Sequence, residues 1–339
     1  MRLYGAIDLH SNNNVLVLLD EQDRVVVERR LRNELPMILA ELEPHREWVT
    51  AIAVESTYNW YWLVDGLMDA GYPVKLVNTS AVKTYEGLKY TGDEHDARYL
   101  AHLLRLGILP TGYIYPRAER SIRDLLRKRA QLVRCRTAQI LSIQNLVSRN
   151  SGHGISAEEI RSLRQPGLER ICGGDTDRRL AIESNQVVLR CLDKQIAILE
   201  GVIRAEGRLR PEFKMLQTVD GIGEILSLTI MYEVGTVERF AKVGQFASYA
   251  RCVESSRWSN SKKKGEGNRK NGNKYLAWAF VEAAHFAARH NERIQRYYQR
   301  KKAKANVAVA VKAVAHKLAR ACYHILKDRT PFDATRAFA

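Results

Sequence analysis

The sequence predicts an α/β domain followed by an all-α region. Short β-rich runs open the chain and then alternate with helical segments, an arginine-rich segment with heptad-like apolar spacing follows, and alanine-rich helices close it. A chain of 339 residues is long for one domain, so we expect more than one core. The composition changes predict an α/β domain over 1–116, a helical arm over 117–210 and a mainly helical domain over 211–339.

The first region predicts a mixed sheet. Polar turns separate three β-rich runs at 3–9, 15–19 and 24–28, which indicates an antiparallel meander. The segments that follow are predicted as a helix near 33–43, a strand at 49–54, a helix at 59–70, a strand at 74–77 and a helix at 93–106. A meander followed by alternating strands and helices is the wiring of an RNase H-like domain.

Four acidic residues fall where a metal site at the end of such a sheet needs them. Asp8 ends the first strand and Glu55 ends the fourth, while Asp93 and Asp96 share one face of the last helix because they are three residues apart. Clustered carboxylates repel one another unless cations neutralise them, so this arrangement predicts Mg²⁺, with two ions clamping a phosphodiester. Taken singly, each acid also fits an ordinary turn, surface or helix-cap position.

The second region predicts an antiparallel helical coiled-coil arm. Its basic helix carries Arg123, Arg127 and Arg134 beside an apolar side, and 180–203 is predicted as the returning helix. These arginines are candidates for contact with a nucleic-acid backbone. Pairing with another copy of the chain, or a merely solvated coiled coil, are the alternatives.

The third region contains two features suited to phosphate. A Gly-Ile-Gly turn between two short helices resembles a helix-hairpin-helix element, whose amides hold phosphates without reading sequence. The stretch 257–274 is polar and basic, and its Ser259 hydroxyl would lie beside a bound phosphorus. A flexible solvated loop is the alternative. The candidates for nucleic-acid binding here are Gly221, Gly223, Lys262, Lys263, Lys264, Arg269, Lys270 and Lys274.

The composition favours a nucleic-acid partner. Lysine and arginine number 54 against 38 acidic residues, a formal charge of +16, which is the electrostatic signature of a protein that neutralises backbone phosphates. No apolar run approaches the roughly 18 to 20 residues of a membrane span, so we expect a soluble, cytoplasmic protein. The five scattered cysteines suggest reduced thiols. No nucleotide-binding or metalloprotease motif occurs.

Short motifs spread over nearly the whole chain share the order and spacing of one known family. They are Ala6-Ile7-Asp8, Val54-Glu55-Ser56-Thr57, Asp93-Glu94-His95-Asp96-Ala97, Val219-Asp220-Gly221-Ile222-Gly223, the Ser259 loop and Gly272-Asn273-Lys274-Tyr275-Leu276. They resemble the one-ten family of bacterial insertion-sequence transposases, the bridge-RNA-guided recombinases.

The resemblance implies a RuvC-like first domain whose acidic tetrad binds Mg²⁺, and a C-terminal transposase domain whose serine attacks DNA. It further implies a non-coding guide (bridge) RNA that pairs with donor and target DNA, and a dimer or tetramer in which two subunits complete one active site. The family's serine is often followed by glycine, whereas Asn260 follows Ser259 here. Other nucleophiles therefore stay open, namely Ser255, Ser256 and Ser261.

Two rival functions belong to other classes. The acids alone would make a metal-dependent, junction-resolving nuclease, with the C-terminal region only binding DNA. Alternatively, the chain would be a non-catalytic protein that uses its positive charge to bind RNA or DNA. A covalent protein-DNA product separates the first rival from a serine recombinase, and loss of activity without Asp8 excludes the second.

Overall fold

A computed structural model describes residues 1–82, 92–254, 256–266 and 271–339. The chain forms two compact units, Met1–Ile114 and Tyr115–Ala339. The further division of the second unit near residue 210 stays a prediction. None of the helices in these described ranges is long and apolar enough to cross a membrane.

The first unit is built on a five-stranded mixed sheet. Its elements are β1 (Leu3–Leu9), β2 (Asn13–Leu19), β3 (Val25–Arg32), α1 (Leu35–Leu42), β4 (Val49–Glu55), α2 (Tyr61–Asp69), β5 (Val74–Val77) and α3 (Asp93–Arg105). The strand order is β3-β2-β1-β4-β5. The first three strands are antiparallel, whereas β4 runs parallel to β1 and to β5. The predicted meander and α/β layer are confirmed, and the RNase H-like and RuvC-like assignments stay interpretations.

Apolar side chains cover both faces of this sheet. Alternate strand residues such as Leu3 and Ile7 pack with α1 and α2, while Ala6 and Ala53 pack with Ala97 of α3. Because side chains alternate along a strand, Asp8 lies on the same face as Ala6, the face that α3 covers. The packing of α3 therefore decides which groups surround Asp8.

The second unit is mainly helical. Its elements are α4 (Arg117–Ser151), α5 (Ala157–Ser162), α6 (Gln165–Cys172), α7 (Thr176–Gly207), α8 (Pro211–Leu216), α9 (Glu224–Val234), α10 (Val243–Tyr249), β6 (Ser256–Ser259), β7 (Lys262–Glu266), α11 (Lys274–His290), α12 (Glu292–Lys304), α13 (Val307–Asp328) and α14 (Ala334–Ala337). Helix α9 is buried along almost its whole length and packs with α4, α8 and α11.

The two longest helices, α4 and α7, run antiparallel. Arg129 pairs with Glu200 at 2.7 Å and Arg136 pairs with Asp193 at 3.2 Å, so residue numbers rise along one helix as they fall along the other. The predicted returning helix is confirmed. Its description as a coiled coil stays a prediction, and the short helices α5 and α6 between the two were not predicted.

Candidate functional site

Three of the four predicted acids line one cavity in the first unit. The cavity has a volume of about 210 Å³, and Asp8, Glu55 and Asp96 reach it from β1, β4 and α3. Asp8 is almost completely buried, at 5 % exposure. Parallel strands β1 and β4 end at the same edge of the sheet, which is why acids 47 positions apart in the sequence meet there. Thr79 and Tyr99 complete the polar lining.

The carboxylates in this cavity oppose one another's ionisation. Burial, a hydrogen bond with Asp8 and the charges of Asp8 and Asp96 raise the pKa of Glu55 to about 8. Burial and the charge of Asp8 also raise the pKa of Asp96. A divalent cation would relieve this repulsion, and carboxylate oxygens are the ligands that Mg²⁺ prefers. The donor set therefore fits the predicted metal.

The fourth acid, Asp93, is held by two basic side chains. Its Oδ2 atom lies 2.7 Å from Arg30 Nη2 and 3.2 Å from His10 Nε2, and His10 Nε2 is also 3.4 Å from Asp8 Oδ2. Together Asp8, His10 and Asp93 offer ligand atoms that lie within 4.8 Å of one another. The Arg30 hydrogen bond lowers the pKa of Asp93, so this carboxylate is ionised and already paired.

Ser259 lies in a β-hairpin, where sequence analysis expected an irregular loop. Strand β6 ends at Ser259, β7 begins at Lys262, and these two residues are directly opposite each other. Asn260 and Ser261 both have positive φ, at 48° and 57°, as a two-residue hairpin turn of type I′ requires. Ser259 and Lys262 are exposed and, being directly opposite each other, share one face of the hairpin. Lys264 is also exposed and lies at a shift in the register of the two strands.

The hairpin lies within residues 252–273, here called the hairpin segment. Both ends of this segment are fixed to the C-terminal end of α10. At one end, Cys252 N donates to Ala247 O at 2.9 Å. At the other, Asn273 N donates to Tyr249 O at 2.6 Å. Gly272, with φ of 89°, lies so close to Tyr249 that an added Cβ would be 2.5 Å from the carbonyl oxygen. The segment thus leaves and rejoins the core at one place.

A buried carboxylate supports the second of these attachments. Glu233 is 1 % exposed and accepts a hydrogen bond from Asn273 Nδ2 at 2.7 Å. Arg123 Nε donates to it at 3.0 Å and Arg127 Nε at 2.6 Å. Burial alone would raise the pKa of Glu233, but the Arg127 hydrogen bond and the two arginine charges outweigh it and lower the pKa. Asn273 Oδ1 accepts from the backbone of Tyr275 and so begins α11.

Arg123 and Arg127, which were predicted to contact nucleic acid, have a partner within the second unit, and their contact with nucleic acid stays a prediction. Both guanidinium groups pair with Glu233 inside the second unit, and Arg127 also lies over the Tyr275 ring at 4.6 Å. Their charges are used for folding. Arg134 is exposed on α4, so its predicted role stays open.

The remaining predicted binding residues divide into two groups. The side chains of Lys262, Lys264 and Lys274 are exposed. For Lys263 the structure describes only the backbone, which lies in β7. The predicted contacts of Arg269 and Lys270, and the alternative nucleophile Ser255, lie outside the described residues. Their contribution to nucleic-acid binding stays a prediction.

The predicted Gly-Ile-Gly turn does connect two helices, α8 and α9. A cavity of about 530 Å³ lies beside it, lined by the turn and by Phe286 and His290 of α11. Gly221 has φ of 85°, and a Cβ there would lie 2.3 Å from the Ala283 carbonyl oxygen. Gly223 has free space around it. Close packing against α11 therefore explains the first glycine, and phosphate binding by this turn stays a prediction.

Sequence analysis missed several residues of these sites. His10 follows Asp8 by two positions, one residue past the end of β1, and this spacing in extended backbone places both side chains on one face. Glu233 is a single acid near the end of the otherwise apolar run 225–234, and such a run indicates a buried helix whose charge needs a partner. Arg30 gave no such local signal.

Comparison with known proteins agrees with the resemblance seen in the motifs. Residues 6–150 match a transposase family model, DEDD_Tnp_IS110, and residues 213–299 match the model of the transposase IS116/IS110/IS902 family. The transposase for insertion sequence element IS1111A from Coxiella burnetii is 23% identical over 307 residues, which cover 84% of this chain and 78% of that relative. The chain therefore belongs to the IS110 family of transposases, enzymes that cleave and rejoin DNA.

Proposed function

We propose that this transposase cleaves and rejoins DNA through a covalent link to Ser259, with Mg²⁺ held by Asp8, Glu55, Asp93 and Asp96. The observation that carries the proposal is the face of the hairpin. It presents an exposed hydroxyl directly opposite Lys262, with the exposed Lys264 two residues further along β7. A serine beside cations is suited to a reaction in which negative charge develops on a phosphate.

In the proposed step, a bond forms between Ser259 Oγ and phosphorus as the bond from phosphorus to one DNA oxygen breaks. The serine proton is transferred, in net terms, to the leaving oxygen, which becomes a free hydroxyl end. A hydroxyl of the second strand then displaces the serine, so the strands are joined without ATP. Lys262 and Lys264 offset the phosphate charge, and bound Mg²⁺ would supply Lewis-acid stabilisation of phosphate oxygens.

The test is covalent trapping on a nicked DNA substrate, read as a protein-DNA adduct that survives denaturation. Ser259→Ala is expected to abolish the adduct, whereas Ser261→Ala, two residues along and also exposed, should keep it. An adduct formed by Ser259→Ala and mapped to Ser255, Ser256 or Ser261 would move the nucleophile. If the unmutated protein, together with the RNA that copurifies with it, forms no adduct with any divalent cation, the serine proposal fails.

One observation favours the metal-dependent nuclease as a second candidate. The first unit alone brings Asp8, Glu55 and Asp96 to one cavity, without any residue of the second unit. Metal-dependent strand cleavage by Ser259→Ala at the unmutated rate would support that alternative. Loss of cleavage in Asp8→Asn, together with retained folding, is expected under both.

We further propose that a guide RNA selects the donor and target DNA and that two or more copies of the chain act together. The support is the formal charge of +16 and the motif resemblance. Sequencing of RNA that copurifies with the protein, and light scattering of the complex with that RNA, test the two parts. Recombination at the same site by RNA-free protein would contradict RNA guidance.

A further inference from the structure

A cleft in the second unit is lined by several basic side chains. These residues lie after the hairpin segment in the sequence. The C-terminal basic cleft, of about 480 Å³, lies between α13 and the segment that contains α14. Its basic lining residues are Lys317, Arg320, His324 and Arg336. None of these was singled out by motif, because they are scattered through the last two helices.

The two carboxylates described near this cleft interact with the start of α14 and with His324. Asp333, which lines it, accepts hydrogen bonds from Thr335 N at 2.7 Å and from Arg336 N at 3.3 Å, and so begins α14. Asp328 lies 3.2 Å from His324 Nδ1. In the ranges that the structure describes, no acidic side chain forms an ion pair with Lys317, Arg320 or Arg336. The cleft therefore carries a surplus of positive charge.

Helix α12 extends the same basic surface. Around the Tyr297 ring, Lys317 Nζ lies at 5.2 Å from the centroid, Lys301 Nζ at 5.6 Å and the Arg300 guanidinium carbon at 5.9 Å. Burial and the charges of Arg320, Lys301 and Arg300 lower the pKa of Lys317. Cations are thus close enough to repel one another, and an anion bound among them would remove that repulsion.

The spacing of the cations fits a polyanion better than a single small anion. Lys317 and Arg320 lie about one turn apart on α13, roughly 4.5 Å along the helix axis, and Arg336 lines the same cleft from α14. One strand of duplex DNA carries a phosphate about every 3.4 Å along the axis, so cations spread over these helices reach more than one phosphate. Arg300 and Lys301 of α12 would widen the contact.

We propose that the C-terminal basic cleft, together with Arg300 and Lys301 of α12, binds the phosphodiester backbone of a nucleic acid without reading its sequence. The proposal rests on the proposed function only in taking a nucleic acid as the partner. It requires neither Ser259 as nucleophile nor Mg²⁺. DNA and RNA share this backbone chemistry, so the experiment distinguishes them.

The test variant replaces four exposed cations, Arg300, Lys301, Arg320 and Arg336, by glutamine in the full-length chain. Binding to duplex DNA, single-stranded DNA and an RNA stem is measured by fluorescence anisotropy over a range of salt concentrations. We expect at least a tenfold loss of affinity at moderate salt. A plot of the logarithm of the binding constant against the logarithm of salt concentration has a negative slope. Its magnitude should decrease by about 0.9 for each lost phosphate contact on duplex DNA and by about 0.7 on single strands.

A matched control removes the same charge elsewhere. Glutamine at Arg2, Arg24, Arg32 and Lys75, all exposed in the first unit, lowers the net charge equally. A second variant, Arg320→Lys with Arg336→Lys, keeps the charge and should keep the binding. Circular dichroism establishes that each variant is folded.

The outcomes separate the possibilities. A reduced slope with DNA alone, with RNA alone or with both supports the proposal and identifies the nucleic acid. A slope equal to that of the control on every probe overturns it. Ser259→Ala should keep the unmutated slope, so failure of the serine chemistry and failure of this cleft give different results.

Discussion

The carboxylate of Glu233 and the amide of Asn273 are joined by a 2.7 Å hydrogen bond between residues 40 positions apart. Asn273 begins α11 immediately after the hairpin segment that carries Ser259. The buried charge that fixes α4 thus also fixes the point at which this segment rejoins the core.

Replacing Glu233 by glutamine should strongly destabilise the second unit. The change leaves Arg123 and Arg127 without their anionic partner, and breaking a buried ion pair on one side costs about 3–5 kcal/mol. Chemical denaturation measures the loss. Asp193→Asn, which breaks the half-exposed pair with Arg136, serves as the control and should cost less than about 1 kcal/mol. Equal effects would contradict the role of Glu233.

The same residue predicts a pH dependence of stability. The pKa of Glu233 is lower in the folded than in the unfolded chain, so its contribution is present above the unfolded value of about 4.3 and is lost as pH falls through the folded value. Unmutated protein should therefore lose stability on acidification below pH 4 more steeply than Glu233→Gln. Parallel curves for the two proteins would argue against an ionised Glu233.

The acidic cavity predicts the opposite dependence at higher pH. Since the folded pKa of Glu55 is raised to about 8, its protonated form stabilises the fold below about pH 4.5, and this contribution is lost as pH rises through 8. Each unit of pKa difference corresponds to about 1.4 kcal/mol. Without divalent cation, thermal stability should fall over this interval, and Glu55→Gln should flatten the curve. Mg²⁺ should stabilise the unmutated protein more at pH 8 than at pH 5, with proton release visible by calorimetry.

Arg30 should compete with metal for Asp93. Both partners are partly exposed, and an exposed ion pair is worth about 0.2–1 kcal/mol. Arg30→Gln is therefore expected to tighten Mg²⁺ or Mn²⁺ binding by a factor of up to about five. Arg98→Gln breaks a comparable pair with Glu28 in the same unit and should leave affinity unchanged. Weaker metal binding by Arg30→Gln would show that the arginine assists the site.

Two glycines of the turn before α9 should respond differently to alanine. In Gly221→Ala, positive φ and the nearby Ala283 carbonyl both oppose the methyl group, and overpacking alone costs about 1–3 kcal/mol. Gly223, the N-cap of α9, has φ of −85° and open space, so Gly223→Ala should cost only the poorer capping of alanine, under about 1 kcal/mol. Urea denaturation of both variants checks this difference, and similar midpoints would refute it.

The fold of the first unit was predictable because its strands are short apolar runs separated by polar turns. The four acids were predictable for the same reason, since three of them mark ends of these elements. The hairpin was not, because 256–266 is polar apart from Trp258 and lacks the alternation that marks a half-buried strand.

The pairing of Arg123 and Arg127 with Glu233 was also hidden from local sequence. Their partner Glu233 is 110 and 106 residues away, and a basic helix predicts a nucleic-acid contact when only its own charges are counted. Arg30 escaped prediction in the same way, because Asp93 is 63 residues distant. The sequence of a single helix shows which of its faces is apolar, but it does not show which distant residue will pair with its charges.

Helix α4 has a mechanical consequence for the reaction. Glu233 forms an ion pair with Arg127 of α4, and the 24 residues from Arg127 to Ser151 at the end of the helix extend about 36 Å at 1.5 Å per residue. The paired helix α7 stiffens this length, so the two together form a lever with its fulcrum beside the start of α11. We expect a force that acts on α4 near Ser151 to be transmitted to the Glu233–Asn273 hydrogen bond. It would thereby reach the point where the segment that carries Ser259 rejoins the core.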